Sequence, residues 1–150
     1  MISLSFLVFF YFLMSLYSLF HKAEFKVHMS YYPKEIRCID QLLKGHGHYG
    51  IAQYWNANVI TSLSKAHLQV VPFNPNLTPF YWSINIKKFE KPISFIIVDK
   101  RDIRSLHKNE IYAKYSVPQK EVTCYSRKVL IYPRESIKGT SPPPNFKIFS

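Results

Sequence analysis

ISFIIV, residues 93–98, is the stretch on which the fold turns. It is a short, nearly continuous apolar run with Lys91 and Pro92 before it and Asp99 after it. Such a run suits a central strand covered on both faces, as in α/β sheets whose helices lie on either side. Downstream, Asp102 is placed to open a helix toward Leu106 or Tyr112. Val122 to Tyr132 alternates imperfectly and reads as one or two edge strands. From Pro133 onward the apolar period is lost and a proline triplet appears, so residues 134–150 read as a disordered, basic, Pro-rich tail.

Upstream, Pro33 to Lys44 has the spacing of an amphipathic helix, with Ile36, Ile39, Leu42 and Leu43 on one stripe and Cys38 at its edge. Pro33 suits the first helical position, where its missing N–H has no cost, and Gly45 offers the stop. Gly45 to Gly50 reads as a turn. Ile51 to Trp55 has the look of a short strand. Asn56 or Asn58 is suited to cap a helix running to about Lys65, with Val59, Ile60 and Leu63 facing inward. Leu68 to Phe73 is a second strand, and Pro72, Pro75 and Pro79 interrupt regular structure until about Tyr81. Helix, strand, helix, strand, strand, helix, strand predicts an α/β fold: a small three-layer domain, residues 21–133, with a short, mainly parallel sheet.

The first 20 residues, MISLSFLVFFYFLMSLYSLF, carry no charged side chain. At 1.5 Å per residue they reach about 30 Å, the thickness of a bilayer's hydrocarbon core. A cleaved signal peptide fits less well, because no basic n-region precedes the apolar run and no small-x-small site follows it. Residues 1–20 are therefore expected to form a transmembrane helix, with the lipid bilayer as first partner.

All 20 Lys and Arg and all 9 Asp and Glu lie after this segment, so the net charge of +11 belongs to the remainder. Beside a membrane span, anionic headgroups are the first candidate for such a surface, with glycans next. The bases are scattered rather than gathered into one run, which places nucleic acid last and leaves a solvated positive face as the simplest account. Orientation is contested. His21, Lys22 and Lys26 favour a cytoplasmic domain by the positive-inside rule. A disulfide between Cys38 and Cys124 would favour an oxidising compartment, and two unrelated buried thiols are the alternative.

No complete catalytic constellation is present. Phosphate-binding glycine loop, nucleophile elbow and H-E-x-x-H are all missing, and no cofactor motif is found. His46 and His48 form a His-x-His pair, but no local Cys, Asp or Glu completes a metal set, so a solvated loop is the preferred reading. Asp99, Asp102 and Glu110 follow a strand end, where α/β sites form, and make a small carboxylate-based enzyme, using Asp99 or Asp102, the alternative. Helix capping and ion pairs with Arg101 and Arg104 would explain the same residues. Asn76-Leu77-Thr78 matches a glycosylation sequon. Trp55, Asn56, Tyr81, Trp82 and Asn85 form the candidate binding group. Two indole faces and two amides near strand ends suit a sugar or a headgroup, whereas ring packing in the core is the bland account.

Several short stretches together resemble a known layout: Gly50-Ile-Ala-Gln-Tyr-Trp-Asn-Ala57, Trp82-Ser-Ile-Asn85, Phe95-Ile-Ile-Val-Asp99, Tyr115-Ser-Val-Pro118, and Cys124 leading to Val129-Leu-Ile-Tyr132. They are similar to the C-terminal extracytoplasmic domain of bacterial polytopic membrane proteins that resemble C-type, lipid-linked-sugar glycosyltransferases. The resemblance covers residues 30–133. It implies an extracytoplasmic domain after a last span (periplasmic in a bacterium), a Cys38–Cys124 disulfide, and a chain that is the tail of a longer protein. The multispan portion, where such enzymes keep their catalytic carboxylate, has no counterpart here. The expectation is therefore a non-catalytic, membrane-tethered α/β domain, a remnant or accessory portion of a glycosyltransferase-like protein. A basic module for anionic lipid, glycan or nucleic acid is the alternative.

Overall fold

The computed structural model describes residues 4–21, 31–81, 85–134 and 136–139. The chain divides into two compact units, Met1–Tyr31 and Tyr32–Ser150. The first holds helix α1, Leu4–His21. Its large apolar side chains from Phe6 to Met14, and Tyr17, are exposed, between 46% for Leu13 and 75% for Tyr11, while Leu16 is half-buried. Among the described residues no helix is long and apolar enough to cross a membrane. The span expected over Met1–Phe20 begins in residues 1–3, outside the described residues.

The second unit is a mixed α/β domain. Its elements are α2 (Lys34–Leu42), β1 (Tyr49–Gln53), α3 (Tyr54–Leu63), β2 (Gln69–Phe73), β3 (Phe95–Asp99), α4 (Lys108–Tyr115), β4 (Lys120–Cys124) and β5 (Arg127–Ile131). The five strands form one sheet in the order β2-β1-β3-β5-β4. β3 is central, as the ISFIIV run predicts, and pairs in parallel with β1 and antiparallel with β5. β2 and β1 are parallel, β4 and β5 antiparallel. The sheet is thus evenly mixed and not mainly parallel. The reason is a two-residue hairpin turn at Tyr125-Ser126, with Tyr125 at φ +59°. It folds β5 back between β3 and β4, so β5 is an interior strand rather than an edge.

Period-two alternation divides the strands between two cores. On one face Ala52, Val70, Phe95, Ile97, Val129 and Ile131 pack with Ile36 and Ile39 of α2 and Ile60 of α3. On the other, Ile51, Val71, Ile96 and Leu130 pack with Ile111 of α4 and with Leu77, Phe89 and Leu106 from the connections. Three layers result. The packed domain runs past Pro133, where the tail was expected to start. Ile137 is 5% exposed, bridges Ile93 and joins the second core. Residues 140–150 lie outside the described residues. The helix expected from Asp102 begins instead at Lys108, because Asp102 closes a local turn by accepting the Arg104 N–H at 2.9 Å.

A buried carboxylate and a disulfide both join α2 to the rest. Asp40, 6% exposed, accepts hydrogen bonds from Tyr32 Oη (2.7 Å), Ser64 Oγ (2.6 Å) and the backbone N–H of Lys65 (2.8 Å). It thereby clamps the exit of α3 onto α2. Burial and the Asp40 carboxylate together push the Tyr32 hydroxyl up to about 12. The second device is covalent. Cys38 of α2 is bonded to Cys124 of β4, with Cα atoms 5.8 Å apart across 86 residues of chain.

Closing a loop of that length removes about 4–5 kcal/mol of unfolded-state entropy in the chain-entropy model. Reduction, or Cys38→Ala with Cys124→Ala, is expected to lower the unfolding free energy by about 3–4 kcal/mol in urea titrations. An unchanged midpoint under reductant would count against the bond. Gly50 in β1 yields a second prediction. A Cβ there would sit 2.1 Å from Cε2 of the fully buried Phe95 ring. Gly50→Ala is expected to cost about 1–3 kcal/mol by overpacking, and Phe95→Leu in the same chain to recover part of it. Full additivity of the two substitutions would refute the contact.

Candidate functional site

In a parallel arrangement, ligands gather outside the carboxyl ends of strands where successive connections leave to opposite sides. Here that point lies between β1 and β3. The connection after β1 is α3, leading to β2 on one flank, while β3 continues toward α4 and the β4–β5 hairpin on the other. The residues ending these strands are Gln53 and Asp99. Arg127, which opens the antiparallel β5, lies opposite Asp99 and so belongs to the same edge.

From β1 the chain turns straight into α3. Gln53 acts as the N-cap: its side-chain oxygen accepts the Trp55 N–H at 2.9 Å. That cap explains why the helix starts at Tyr54, earlier than a cap at Asn56 or Asn58 would allow. Trp55 and Asn56 therefore stand in the first turn of α3 rather than at the end of a strand. Trp55 points outward and is 59% exposed. Behind it, the Tyr54 ring meets Trp55 edge-on at 5.1 Å and the Phe80 ring at 5.1 Å. Phe80 is fixed there by its backbone N–H, which donates to Pro72 O at 3.0 Å.

Asn56 faces inward, buried, and its Oδ1 accepts from Arg127 Nε at 2.8 Å. Arg127 is the centre of a buried network. Its Nη1 pairs with Glu35 at the start of α2, and its Nε lies 3.5 Å from Asp99 Oδ2. Asp99 also accepts from the Arg101 backbone N–H (3.0 Å), Nε (3.3 Å) and Nη2 (3.3 Å). Ser126 Oγ donates to Glu35 at 3.3 Å. Two carboxylates and two guanidiniums balance, and each buried charge has a partner. Burial alone would raise the Asp99 carboxyl. The hydrogen bonds and charge of Arg101, with the charge of Arg127, outweigh it and hold the group below the ordinary carboxylate range. A carboxylate so engaged is a structural anion, not a proton donor at neutral pH. Asp102 is occupied too, by the Arg104 N–H and, at 3.5 Å, by Arg104 Nε.

The other described members of the candidate group, Tyr81 and Asn85, do not join Trp55. Tyr81 packs edge-on against Phe89 at 4.9 Å, within the second core. Asn85 is exposed and caps a 3₁₀ turn over Ile86–Lys88 by accepting the Lys87 N–H at 3.1 Å. Trp82 lies outside the described residues. Among the described residues no group of three or more His, Cys, Asp or Glu is arranged to hold a metal. His48 Nδ1 lies 3.2 Å from Ala66 O. The sequence reading missed Glu35, Gln53, Tyr54, Phe80 and Arg127. None of them carried a local signal: Gln is not among the residues favoured at a helix N-cap, and the others act through contacts distant in sequence.

Because Asp99 has its folded pKa lowered, its contribution to stability is complete above the unfolded Asp value of about 3.9 and is lost as pH falls through the folded value. Asp99→Asn is expected to lower the urea midpoint at neutral pH and to flatten the acid limb of stability. Arg127→Met, which leaves Glu35 and Asp99 without their buried partner, is expected to cost about 3 kcal/mol. Parallel acid limbs for wild type and Asp99→Asn would show that the network does not act through this carboxylate.

Compared with known proteins, this chain matches no family model, no curated protein and no solved structure.

Proposed function

We propose that the chain is a membrane-tethered α/β domain that binds and does not catalyse, an accessory portion of a glycosyltransferase-like membrane protein. The observation that carries this reading is α1. From Phe6 to Met14 its large side chains are apolar and exposed around the helix, an arrangement water disfavours and lipid accepts. Its 18 residues reach about 27 Å at 1.5 Å each, close to the hydrocarbon thickness, and residues 1–3 ahead of it are apolar or small.

Three further features support the reading. The Cys38–Cys124 disulfide suits an oxidising compartment and so an extracytoplasmic domain, against the pull of Lys22 and Lys26. The carboxylates that a freestanding enzyme would use, Asp99 and Asp102, are committed to arginines. Of the described stretches that carry the glycosyltransferase-like resemblance, Gly50–Ala57 and Phe95–Asp99 build β1, the first turn of α3 and β3, which meet at the strand-end edge, while the others fall at the end of α4, in β4 and in β5. What that edge offers outward is the Trp55 face backed by Tyr54 and Phe80, suited to stacking on a sugar ring or a headgroup.

The full chain is expected to float with neutral lipid vesicles and to resist a carbonate wash, and Phe9→Arg with Leu13→Arg to release it. A wild-type chain that stays at the bottom of the gradient would overturn the tether. Trp55→Ala is expected to weaken binding of a lipid-linked sugar by roughly three- to tenfold. Its exposed ring predicts an unchanged thermal midpoint. Equal affinity in both proteins would remove Trp55 from the site.

A further inference from the structure

The opposite edge of the sheet carries a second feature. Where β1 and β3 begin, a cavity of about 350 Å³ opens beside the glycine turn, lined by Gly45, Gly47, His48, Tyr49, Pro92, Ser94 and Arg134. This cavity lies at the opposite ends of the strands from the Trp55 edge and shares no residue with it.

Ser94 is the informative residue. It is 5% exposed, and its backbone is fully used: its N–H donates to Tyr49 O and its carbonyl accepts from Tyr132 N, both at 2.9 Å. Its hydroxyl has no protein partner among the described residues, although it lines the cavity. A buried hydroxyl left without a partner is costly, so such groups point to a ligand or water that satisfies them. Gly47 keeps the approach to that hydroxyl open. It sits at φ +115°, and a Cβ there would lie 2.4 Å from Ser94 Oγ. The same turn leaves the N–H groups of Gly47 and His48 without a protein partner among the described residues. Successive unpaired amides in a glycine turn form a concavity that suits anions.

Arg134 supplies the charge. One of its terminal nitrogens is held on Gly45 O, which fixes the guanidinium over the turn and leaves its other donors for a ligand. The polar side chains of Ser94 and Arg134 are hydrogen-bond donors set in an otherwise largely apolar wall. No carboxylate lines it.

We propose that this cavity binds a phosphate group, held by the Arg134 guanidinium, the Ser94 hydroxyl and the amides of the Gly47 turn. Its source is either free phosphate (or a small phosphomonoester) or the terminal phosphate of a lipid headgroup.

The test uses the full chain in neutral detergent micelles, with amide NMR signals of Gly47, His48 and Ser94 followed in two titrations. One adds inorganic phosphate; the other adds phosphatidic acid, with diacylglycerol as the control lacking phosphate. Saturable shifts of these amides with phosphate assign a soluble ligand. Shifts with phosphatidic acid alone assign a headgroup. Arg134→Gln is expected to weaken either response by about tenfold or more, since a charge-assisted bond is lost, and Ser94→Ala to weaken it less. Absence of a saturable response in both titrations overturns the proposal. So does an undiminished response in Arg134→Gln, whose side chain is exposed and whose retained fold is reported by the dispersion of its amide spectrum.

Discussion

The guanidinium of Arg127 is the constraint around which the domain is arranged. It is buried at the first residue of β5 and touches side chains from α2, α3 and β3 at once, through Glu35, Asn56 and Asp99. A buried cation tolerates no loose arrangement, because every missing partner exposes a desolvation penalty of several kcal/mol. The three elements are therefore set in register against one charge. Apolar packing alone would leave them free to slide by a fraction of a turn, since it is non-directional.

That network shows why the sequence was readable in part. ISFIIV announced the central strand because burial on both faces leaves a local trace, a continuous apolar run. The amphipathic stripe of α2 and the order of elements were legible for the same reason. The mixed sheet was not. Its hairpin turns on Tyr125, a bulky residue at positive φ where Asn or Gly is the usual marker, so no turn signal stood between β4 and β5. The role of Ile137 was hidden by its neighbours, which carry no apolar period, and is visible only through its bridge to Ile93.

The candidate site was legible to a similar extent. Trp55 and Asn56 were singled out as neighbours with one purpose, and the helix that begins at Tyr54 turns them in opposite directions. One faces solvent, while the other anchors Arg127. Ending the strand at Gln53 instead of Trp55, a difference of two residues, changes which side chains share a face. Glu35 and Arg127 are 92 positions apart, and no local pattern links them. The glycine turn was recognised as a turn, yet the space beside it depends on Ser94 and Arg134, which only the folded sheet brings near.

The disulfide also has a mechanical consequence. The polypeptide enters the domain at Tyr32 and Pro33 and runs directly into α2. A pull on that entering chain is delivered first to this short helix. Cys38 passes the tension through a covalent link to Cys124, at the end of β4 next to the hairpin. β4 is an edge strand, held along one side only by hydrogen bonds to β5, and an edge strand peeled from one end unzips bond by bond. With the tension entering at the hairpin end, β4 and β5 are loaded together where the chain already turns. A pull on the entering chain is then shared between the two strands of the hairpin.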